Sequence, residues 1–293
     1  MKSAPLGSLR YEGGRPLLTA LEELQARKGW VFNYEEPVWK YAGDMIPDPS
    51  LVARRPASST ANLATVSRSL RYTVLDLGAM RNQIEAAGSG TRAREAVVRG
   101  MIAAYSGSRP VAQYELRVIG DAWVMVPKLA SDASGRQVAV TTLLDVSITV
   151  PEQERSPLDT LNAIAEELTR ASGIRVDAAT GLLMIDGFDY LFSGVSHYSL
   201  PMGGKPARIK WGASFQPARV ALQDFTSKSK TTFPWRLLCQ PALAAADAFC
   251  VLGLSPVIKE SEGVEGKVER QVVSFDRGAP INAPPPPPPP PAR

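Results

Sequence analysis

Residues 17–36 read "LLTALEELQARKGWVFNYEE", and this stretch predicts a helix followed by a short strand. Its apolar residues have the i, i+3, i+4, i+7 spacing of a helix that buries one face. These residues are Leu17, Ala20, Leu21 and Leu24. Gly29 is suited to end the helix, because glycine takes the left-handed conformation at little steric cost. The run "WVFNY" that follows is rich in residues that favour strands.

The same pattern returns in residues 161–177, "LNAIAEELTRASGIRVD". Aligned without gaps, the two stretches keep a constant offset of 144 residues, which is 161 minus 17. The anchors of the first copy are Leu17, Leu21, Leu24 and Gly29, and those of the second are Leu161, Ala165, Leu168 and Gly173. The second copy also has a helix start signal, because Ser156 can cap a helix that begins with Pro157. Asp159 completes a spacing like that of a capping box.

A second pair of segments repeats a different pattern, a helix followed by a strand hairpin. Residues 92–128 align with residues 217–257, and Tyr114 then stands opposite Trp235. Helical stripes are predicted at Ala93, Ala96, Val97 and Gly100 and at Ala218, Ala221, Leu222 and Phe225. The first hairpin is expected to turn at Gly120 and Asp121. Before the second half, the β-branched run of residues 138–150 predicts a strand.

The two patterns alternate along the chain, which predicts an internally duplicated α+β fold. Each half is expected to contain two small helix-on-sheet units of the strand-helix-strand type. The first half covers residues 1–140, with units at about 8–45 and about 68–128. The second half covers residues 141–260, with units at about 144–192 and about 198–258. Residues 261–293 are expected to form a C-terminal strand and a disordered Pro-rich tail.

The helix-strand pattern resembles the secretin and TonB short N-terminal (STN) domain, a small α+β module. The resemblance rests on Leu17, Leu21, Leu24, Gly29, Trp30 and Phe32, and in the second copy on Leu161, Ala165, Leu168, Gly173, Ile174 and Val176. The chain as a whole also resembles a group of uncharacterised Acidobacteria-type envelope proteins, whose characteristic turn stands here as Tyr34-Glu35-Glu36-Pro37. The resemblance implies a module that contacts partner proteins in the periplasm or cell envelope and has no catalytic residues.

Charge and hydropathy limit the other classes of function. The chain has 33 basic and 29 acidic residues, a net charge of +4, and this small excess is spread along the sequence. Nucleic-acid binding is therefore not favoured, because such proteins concentrate basic residues on one face. No apolar stretch approaches the roughly 18 residues that cross a bilayer. No secretory signal is visible at the N-terminus, so the cytoplasm is the alternative to the envelope location.

Candidate catalytic residues are few. His197 is the single histidine, and Ser196 beside it lacks the G-x-S-x-G setting of a nucleophile. A structural histidine is expected, with a hydrolase that uses His197 as the alternative. The adjacent glutamates of each "EEL" point about 100° apart, so they cannot face one substrate. Ion pairs on solvated helix faces are predicted instead, Glu23 with Arg27 and Glu166 with Arg170.

No cofactor is predicted. Four acidic residues of one loop form a candidate cation site, but they lack the spacing of a calcium loop, so a metal is not expected. The four residues are Glu35, Glu36, Asp44 and Asp48. Arg208, Lys210 and Trp211 are expected to alternate on a half-buried strand rather than to bind nucleic acid. Cys239 and Cys250 flank a turn, and they form either a cross-strand disulfide in an oxidising compartment or two buried thiols.

These observations favour a non-catalytic protein-interaction or assembly module of the bacterial cell envelope. The expected partner is another envelope protein, bound through exposed edges of the sheets. The alternatives are a cytoplasmic nucleic-acid-binding protein and, less favoured, a hydrolase. The sequence does not identify the partner, the process or the oligomeric state.

Overall fold

A computed structural model describes residues 9–47, 68–87, 90–120, 122–180, 208–228, 233–240, 248–255, 257–262, 268–273 and 281–282. Helices and strands are mixed in these residues, which confirms the predicted α+β class. The Pro-rich tail beyond residue 282 lies outside them. His197, Ser196 and Asp48 also lie outside the described residues.

The opening stretch folds as predicted. Strand β1 (Arg10–Gly13) leads into helix α1 (Pro16–Lys28), and strand β2 (Phe32–Glu35) follows. The predicted apolar stripe of α1 is fully buried. Gly29 ends the helix in the left-handed conformation, with a φ of 66°, and its N–H donates to the Gln25 carbonyl at 2.9 Å.

The rest of the first half contains short strands, two helices and a long hairpin. The elements are β3 (Met45–Pro47), β4 (Arg68–Leu70), β5 (Thr73–Asp76), α2 (Arg81–Ala86), α3 (Thr91–Gly107), β6 (Ala112–Ile119), β7 (Ala122–Ser131) and β8 (Gln137–Ala139). The hairpin of β6 and β7 turns where the sequence predicts.

The predicted stripe of α3 is wrong in register. Ala93 and Ala96 are exposed, and the buried residues are Val97, Val98, Met101 and Tyr105. The helix turns its larger apolar side chains inward, because the free energy gained on burial grows with apolar area.

The second half has the order of elements of β1, α1, β2, β5, α3, β6 and β7, without counterparts of β3, β4, α2 and β8 among the described residues. Its elements are β9 (Ser147–Arg155), α4 (Pro157–Ser172), β10 (Arg175–Thr180), β11 (Ile209–Pro217), α5 (Ala218–Ser227), β12 (Trp235–Cys239) and β13 (Phe249–Leu254). The predicted stripes of α4 and α5 are buried. Ser156 caps α4 by accepting a hydrogen bond from the Asp159 N–H at 3.1 Å. Gly173 ends α4 with a φ of 72°.

Two further regions complete the described chain. The strand predicted at residues 138–150 is interrupted by a 3-10 turn at Leu143–Asp145, where Leu143 and Leu144 are buried. The Thr142 hydroxyl donates to the Asp145 carboxylate at 2.6 Å and holds this turn closed. After β13, strands β14 (Val257–Glu262), β15 (Val268–Val273) and β16 (Ile281–Asn282) form a small sheet, and β14 lies beside α1.

The central sheet joins both halves in the order β10-β13-β12-β2-β7-β6, with β8 beside β7. In the first half β2 is parallel to β7, and β7 is antiparallel to β6. In the second half β10 is parallel to β13, and β13 is antiparallel to β12. The halves meet where β12 and β2 pair in parallel. The two predicted units of each half therefore share this sheet rather than forming separate ones.

The strand registers of the two halves correspond. Phe32 of β2 is paired with Trp123, and Val118 of β6 is paired with the same residue. Val176 of β10 and Cys239 of β12 are both paired with Cys250 in the same way. Phe32 of β2 and Val176 of β10 are separated by 144 residues, which is the offset of the sequence repeat. Val118 of β6 and Cys239 of β12 are likewise equivalent positions of the two halves. Duplication of an ancestral half stays a prediction.

The helices of the two halves pack on opposite faces of the central sheet. Tyr34 of β2 donates a hydrogen bond to the Tyr114 hydroxyl at 2.7 Å, and Tyr105 of α3 packs on the same face. Neighbouring residues of a strand point to opposite faces, and Glu35 accordingly meets Arg219 of α5. Two-stranded sheets, β1 with β5 and β9 with β11, cover the outer sides of the helices.

Candidate functional site

The halves meet where β12 pairs with β2, and we call this region the inner join. Its charged residues are Arg15, Glu22, Glu35, Glu36, Arg219 and Arg236. Its backbone ladder is short, with Arg236 opposite Tyr34 and Leu237 opposite Glu35. The Glu36 N–H donates to the Leu237 carbonyl at 2.9 Å. A ladder this short gives little stability by itself, so side chains must contribute to the join.

Glu35 is buried in the inner join and is paired with Arg219. The Arg219 guanidinium donates to the Glu35 carboxylate at 2.6 Å, and the Leu144 N–H donates to the same carboxylate at 3.1 Å. Arg219 also binds Asp145 and the Thr142 hydroxyl. Burial raises the pKa of the Glu35 carboxyl, and the Arg219 charge opposes that rise.

Glu36 is also buried and binds the opposite strand. Arg15 donates to its carboxylate at 2.5 and 2.9 Å, and the Cys239 N–H donates to it at 2.9 Å. The Cys239 carbonyl accepts from the Trp39 indole at 3.0 Å and from Arg15 at 3.3 Å. Both backbone groups of Cys239 are therefore bound by residues of the first half.

The candidate cation site includes Asp48, which lies outside the described residues, so only its other three residues are placed. Glu35 and Glu36 each bind a guanidinium group, and Asp44 lies 3.6 Å from Arg71. No group of three metal-binding side chains comes together within the part of the chain that the structure describes.

A third ion pair of the inner join corrects the interpretation of the "EEL" glutamates. Glu22 of α1 binds Arg236 of β12, and burial raises the pKa of Glu22. Glu22 is therefore not on a solvated face, because the second half covers it. Glu23 pairs with Arg27 at 2.8 Å, as predicted, but both side chains are only 21 % exposed. Tyr11 also donates to Glu23 at 2.7 Å, so the predicted solvated face is wrong for this pair too.

The predicted ion pair on α4 involves a different glutamate. Arg170 binds Glu167 at 2.5 Å, whereas Glu166 is exposed. The Thr149 backbone also donates to Glu167. These two bonds fix Glu167 rather than Glu166 beside Arg170.

A disulfide lies next to the inner join. Cys239 of β12 and Cys250 of β13 are opposite each other, with an S–S distance of 2.06 Å and a Cα–Cα distance of 4.0 Å. The Gln240 N–H donates to the Phe249 carbonyl at 2.9 Å, so the cysteines occupy the adjacent, non-hydrogen-bonded position of the ladder. Side chains approach most closely at such positions. The disulfide fixes the strand that receives the first half.

The outer edge of the sheet on the first half is strand β6. Within the described residues β6 pairs only with β7. Its two-residue turn makes Ile119 and Ala122 a hydrogen-bonded pair, so the backbone groups of Leu116 and Val118 point away from β7. Val118 is 54 % exposed, whereas Cys239 at the corresponding position of β12 is 1 % exposed.

The outer edge on the second half is strand β10, which pairs only with β13 among the described strands. In β2 the Glu36 N–H points toward β12. The position of β10 that corresponds to Glu36 is Thr180. In a parallel ladder the backbone N–H and C=O groups of every second residue point toward the same neighbouring strand. Ala178 and Thr180 therefore direct their backbone groups away from β13.

The predicted alternation of Arg208, Lys210 and Trp211 at the start of β11 is confirmed. Trp211 is buried and its indole donates to Asp224 at 2.9 Å, whereas Arg208 and Lys210 are exposed. Lys210 pairs with Glu152 at 3.0 Å. These residues form an ordinary half-buried strand.

Sequence reasoning missed the arginines of the inner join. Arg219 follows Ala218 at the start of a helix whose other inward residues are apolar apart from Thr226. Arg236 lies within a buried strand. A charged residue inside an apolar pattern is rarely buried without a partner. Glu35 and Glu36 at the end of the buried β2 strand supply matching charges.

Across the described residues, no helix combines the length and the apolar character that crossing a membrane requires. Comparison with protein families, with curated proteins and with solved structures finds no match for the chain.

Proposed function

We propose that this protein is a non-catalytic protein-interaction or assembly module of the bacterial cell envelope, and that it binds its partner along strand β6. The observation that carries the proposal is the outer edge itself. Leu116 and Val118 direct backbone donors and acceptors outward, and the Val118 side chain is 54 % exposed beside them. An edge of this kind binds an added strand through backbone hydrogen bonds, with side-chain pockets giving specificity.

Two observations support the envelope location. The resemblance to the STN domain implies a module of the cell envelope that contacts other proteins. The Cys239–Cys250 disulfide supports an oxidising compartment, because disulfides of this kind persist in the periplasm and are rare in the cytosol. The partner is accordingly a protein of the cell envelope.

Site-specific photo-crosslinking in the native host tests the proposal. A photoreactive residue at position 118 is expected to give a discrete crosslinked product. The same residue at position 158 is the matched control, because Leu158 is 39 % exposed but lies on helix α4. Val118→Pro should weaken the product formed from a crosslinker placed at position 117, where the Arg117 side chain is 44 % exposed. The substitution removes an outward N–H without breaking a bond to β7.

Equal crosslinking from positions 118 and 158, or no product from either, would count against an interaction edge. Periplasmic fractionation of the same cells tests the location. Recovery of the protein in the cytosol with both cysteines open to alkylation would contradict it.

A further inference from the structure

We infer that the partner of strand β6 is a second copy of this chain, which pairs through its own strand β10 in parallel. The inference rests on the proposed function, because it names the partner that the β6 edge takes. The inner join provides the model for this pairing. Strand β12 is the equivalent of β6, and β2 is the equivalent of β10, so the pair formed by β12 and β2 in the middle of the sheet shows how β6 and β10 would pair at its ends.

The backbone groups of the outer edges match those of the inner join. Leu237 and Cys239 of β12 direct their backbone groups toward β2, where Glu36 binds both. Leu116 and Val118 stand at the corresponding positions of β6, and they direct theirs outward. In the complex the Thr180 N–H of one copy would donate to the Leu116 carbonyl of the other, as the Glu36 N–H does to Leu237.

The arrangement of the halves allows this pairing to continue. A single operation relates the first half to the second. It is a half-turn about an axis that lies in the plane of the sheet and runs perpendicular to the strands, combined with a shift of three strands along that axis. This operation reverses the strand directions and exchanges the faces that carry the helices, as observed for α5 and α3. Repeating it places β10 of a second copy beside β6 of the first. Because the two surfaces differ, the association is head to tail and open-ended.

The exposed side chains indicate where apolar contact would form. Val118 is 54 % exposed, and the first half covers Cys239 at the corresponding position of the inner join. A second copy would cover Val118 in the same way. The small side chains of Ala178 and Ala179 on β10 leave room for that approach.

The charges of the outer edges make this association weaker than the inner join. Arg236 pairs with Glu22 at the inner join, but the corresponding residues of the outer edges are Glu115 and Glu166. Glu115 is partly neutralised by Arg117 at 2.6 Å. Two glutamates facing each other disfavour association, and reversing the charge of either one would recreate the attraction of the inner join.

Sedimentation velocity of the purified full-length protein over a range of concentrations, at low ionic strength, tests the inference. The wild type is expected to associate weakly into a series of dimer and larger species. Glu115→Arg and Glu166→Arg should each lower the dissociation constant about tenfold. The double variant should lose this gain, because it places two arginines together. Glu12→Arg, a charge reversal on strand β1, is the control and should change nothing.

Three results would overturn self-association through these edges. One is that the wild type and both single variants stay monomeric at every concentration. Another is that Glu115→Arg strengthens association while Glu166→Arg does not. The third is that the double variant keeps the gain. If position 118 still crosslinks to a different protein in cells, the proposed function stands and only the identity of the partner is wrong.

Discussion

The inner edges of the central sheet, β12 and β2, and its outer edges, β6 and β10, have corresponding backbone positions but different side chains. Each inner edge carries one buried charge, Glu35 on β2 and Arg236 on β12. Helix residues of opposite sign pair with them, Arg219 with Glu35 and Glu22 with Arg236. The outer edges carry Glu115 and Ala179 at positions that correspond to Arg236 and Glu35. The same strand geometry is therefore paired at the inner join and left as an edge at β6 and β10 among the described strands. The two places differ in their charged side chains.

Buried ion pairs are costly to desolvate, so their presence at the inner join suggests a role in specificity. The β12–β2 ladder contains only two residue pairs. A slip by one residue would turn Glu35 to the other face of the sheet and away from Arg219. We therefore expect the ion pairs to fix which edge is joined and in which register.

Removing Arg219 should have the largest effect. Arg219→Met leaves the Glu35 carboxylate buried without its cation, and the free energy of unfolding should fall by about 3–5 kcal/mol. Arg117→Met on β6 is the matched control, because Arg117 is 44 % exposed and its pairs should contribute about 0–1 kcal/mol. Urea denaturation measures both. Equal losses of unfolding free energy in the two variants would contradict the larger role expected for the buried ion pairs of the inner join.

Removing the disulfide should have an intermediate effect. Replacement of Cys239 and Cys250 by serine opens a loop with a sequence separation of 11 residues, and this should lower the free energy of unfolding by about 2–3 kcal/mol. Val118→Ser, at the corresponding position of β6, should cost less than about 0.5 kcal/mol, because Val118 is exposed. Thermal unfolding with and without reductant provides the check. The prediction fails if reductant leaves the midpoint of the wild type unchanged.

Asp145 should give the smallest effect, and it should depend on pH. Burial alone would raise its pKa, but the Thr142 hydroxyl and the Arg219 guanidinium outweigh that effect and hold the pKa below its ordinary value of 3.8. The stabilisation from Asp145 is therefore present above pH 3.8 and is lost as the pH falls through the lower folded-state value. Asp145→Asn should cost about 1 kcal/mol or less at neutral pH, because Asp145 is partly exposed.

Urea denaturation of wild type and Asp145→Asn at a series of pH values measures this difference. The two curves should converge as the pH falls. The contribution of Glu35 to stability should instead fall as the pH rises, because its pKa is raised and its charged form is penalised in the folded state. A difference between wild type and Asp145→Asn that grows toward acid would contradict the assignment.

Local patterns in the sequence predict much of the fold. The stripe of α1, the Ser156 cap and the left-handed glycines depend on residues a few positions apart, and each is confirmed. The stripe of α3 was misplaced because small alanines in the helix resemble buried positions in a short repeat. The α+β class follows from the order of these local elements.

The inner join could not be predicted from local patterns. The Trp235 N–H donates to the Asn33 side chain at 2.9 Å, and these residues are 202 positions apart. Nothing in the spacing around Glu35 indicates that Arg219 is its partner, since that contact depends on how the halves pack. The sequence predicts exposed edges in general, but only the strand order identifies β6 and β10 as those edges.

The carboxylates of β2 have a consequence for how the chain is made. Strand β2 leaves the ribosome 202 residues before the part of β12 that will cover it. At synthesis rates of about 5–20 residues per second, this interval lasts about 10–40 s. Throughout it Glu35 and Glu36 are solvated charges on an open edge, where charged residues discourage pairing with other nascent chains. Glu35 and Glu36, which later bind the second half, thus discourage the β2 edge from pairing with other chains until β12 has been made.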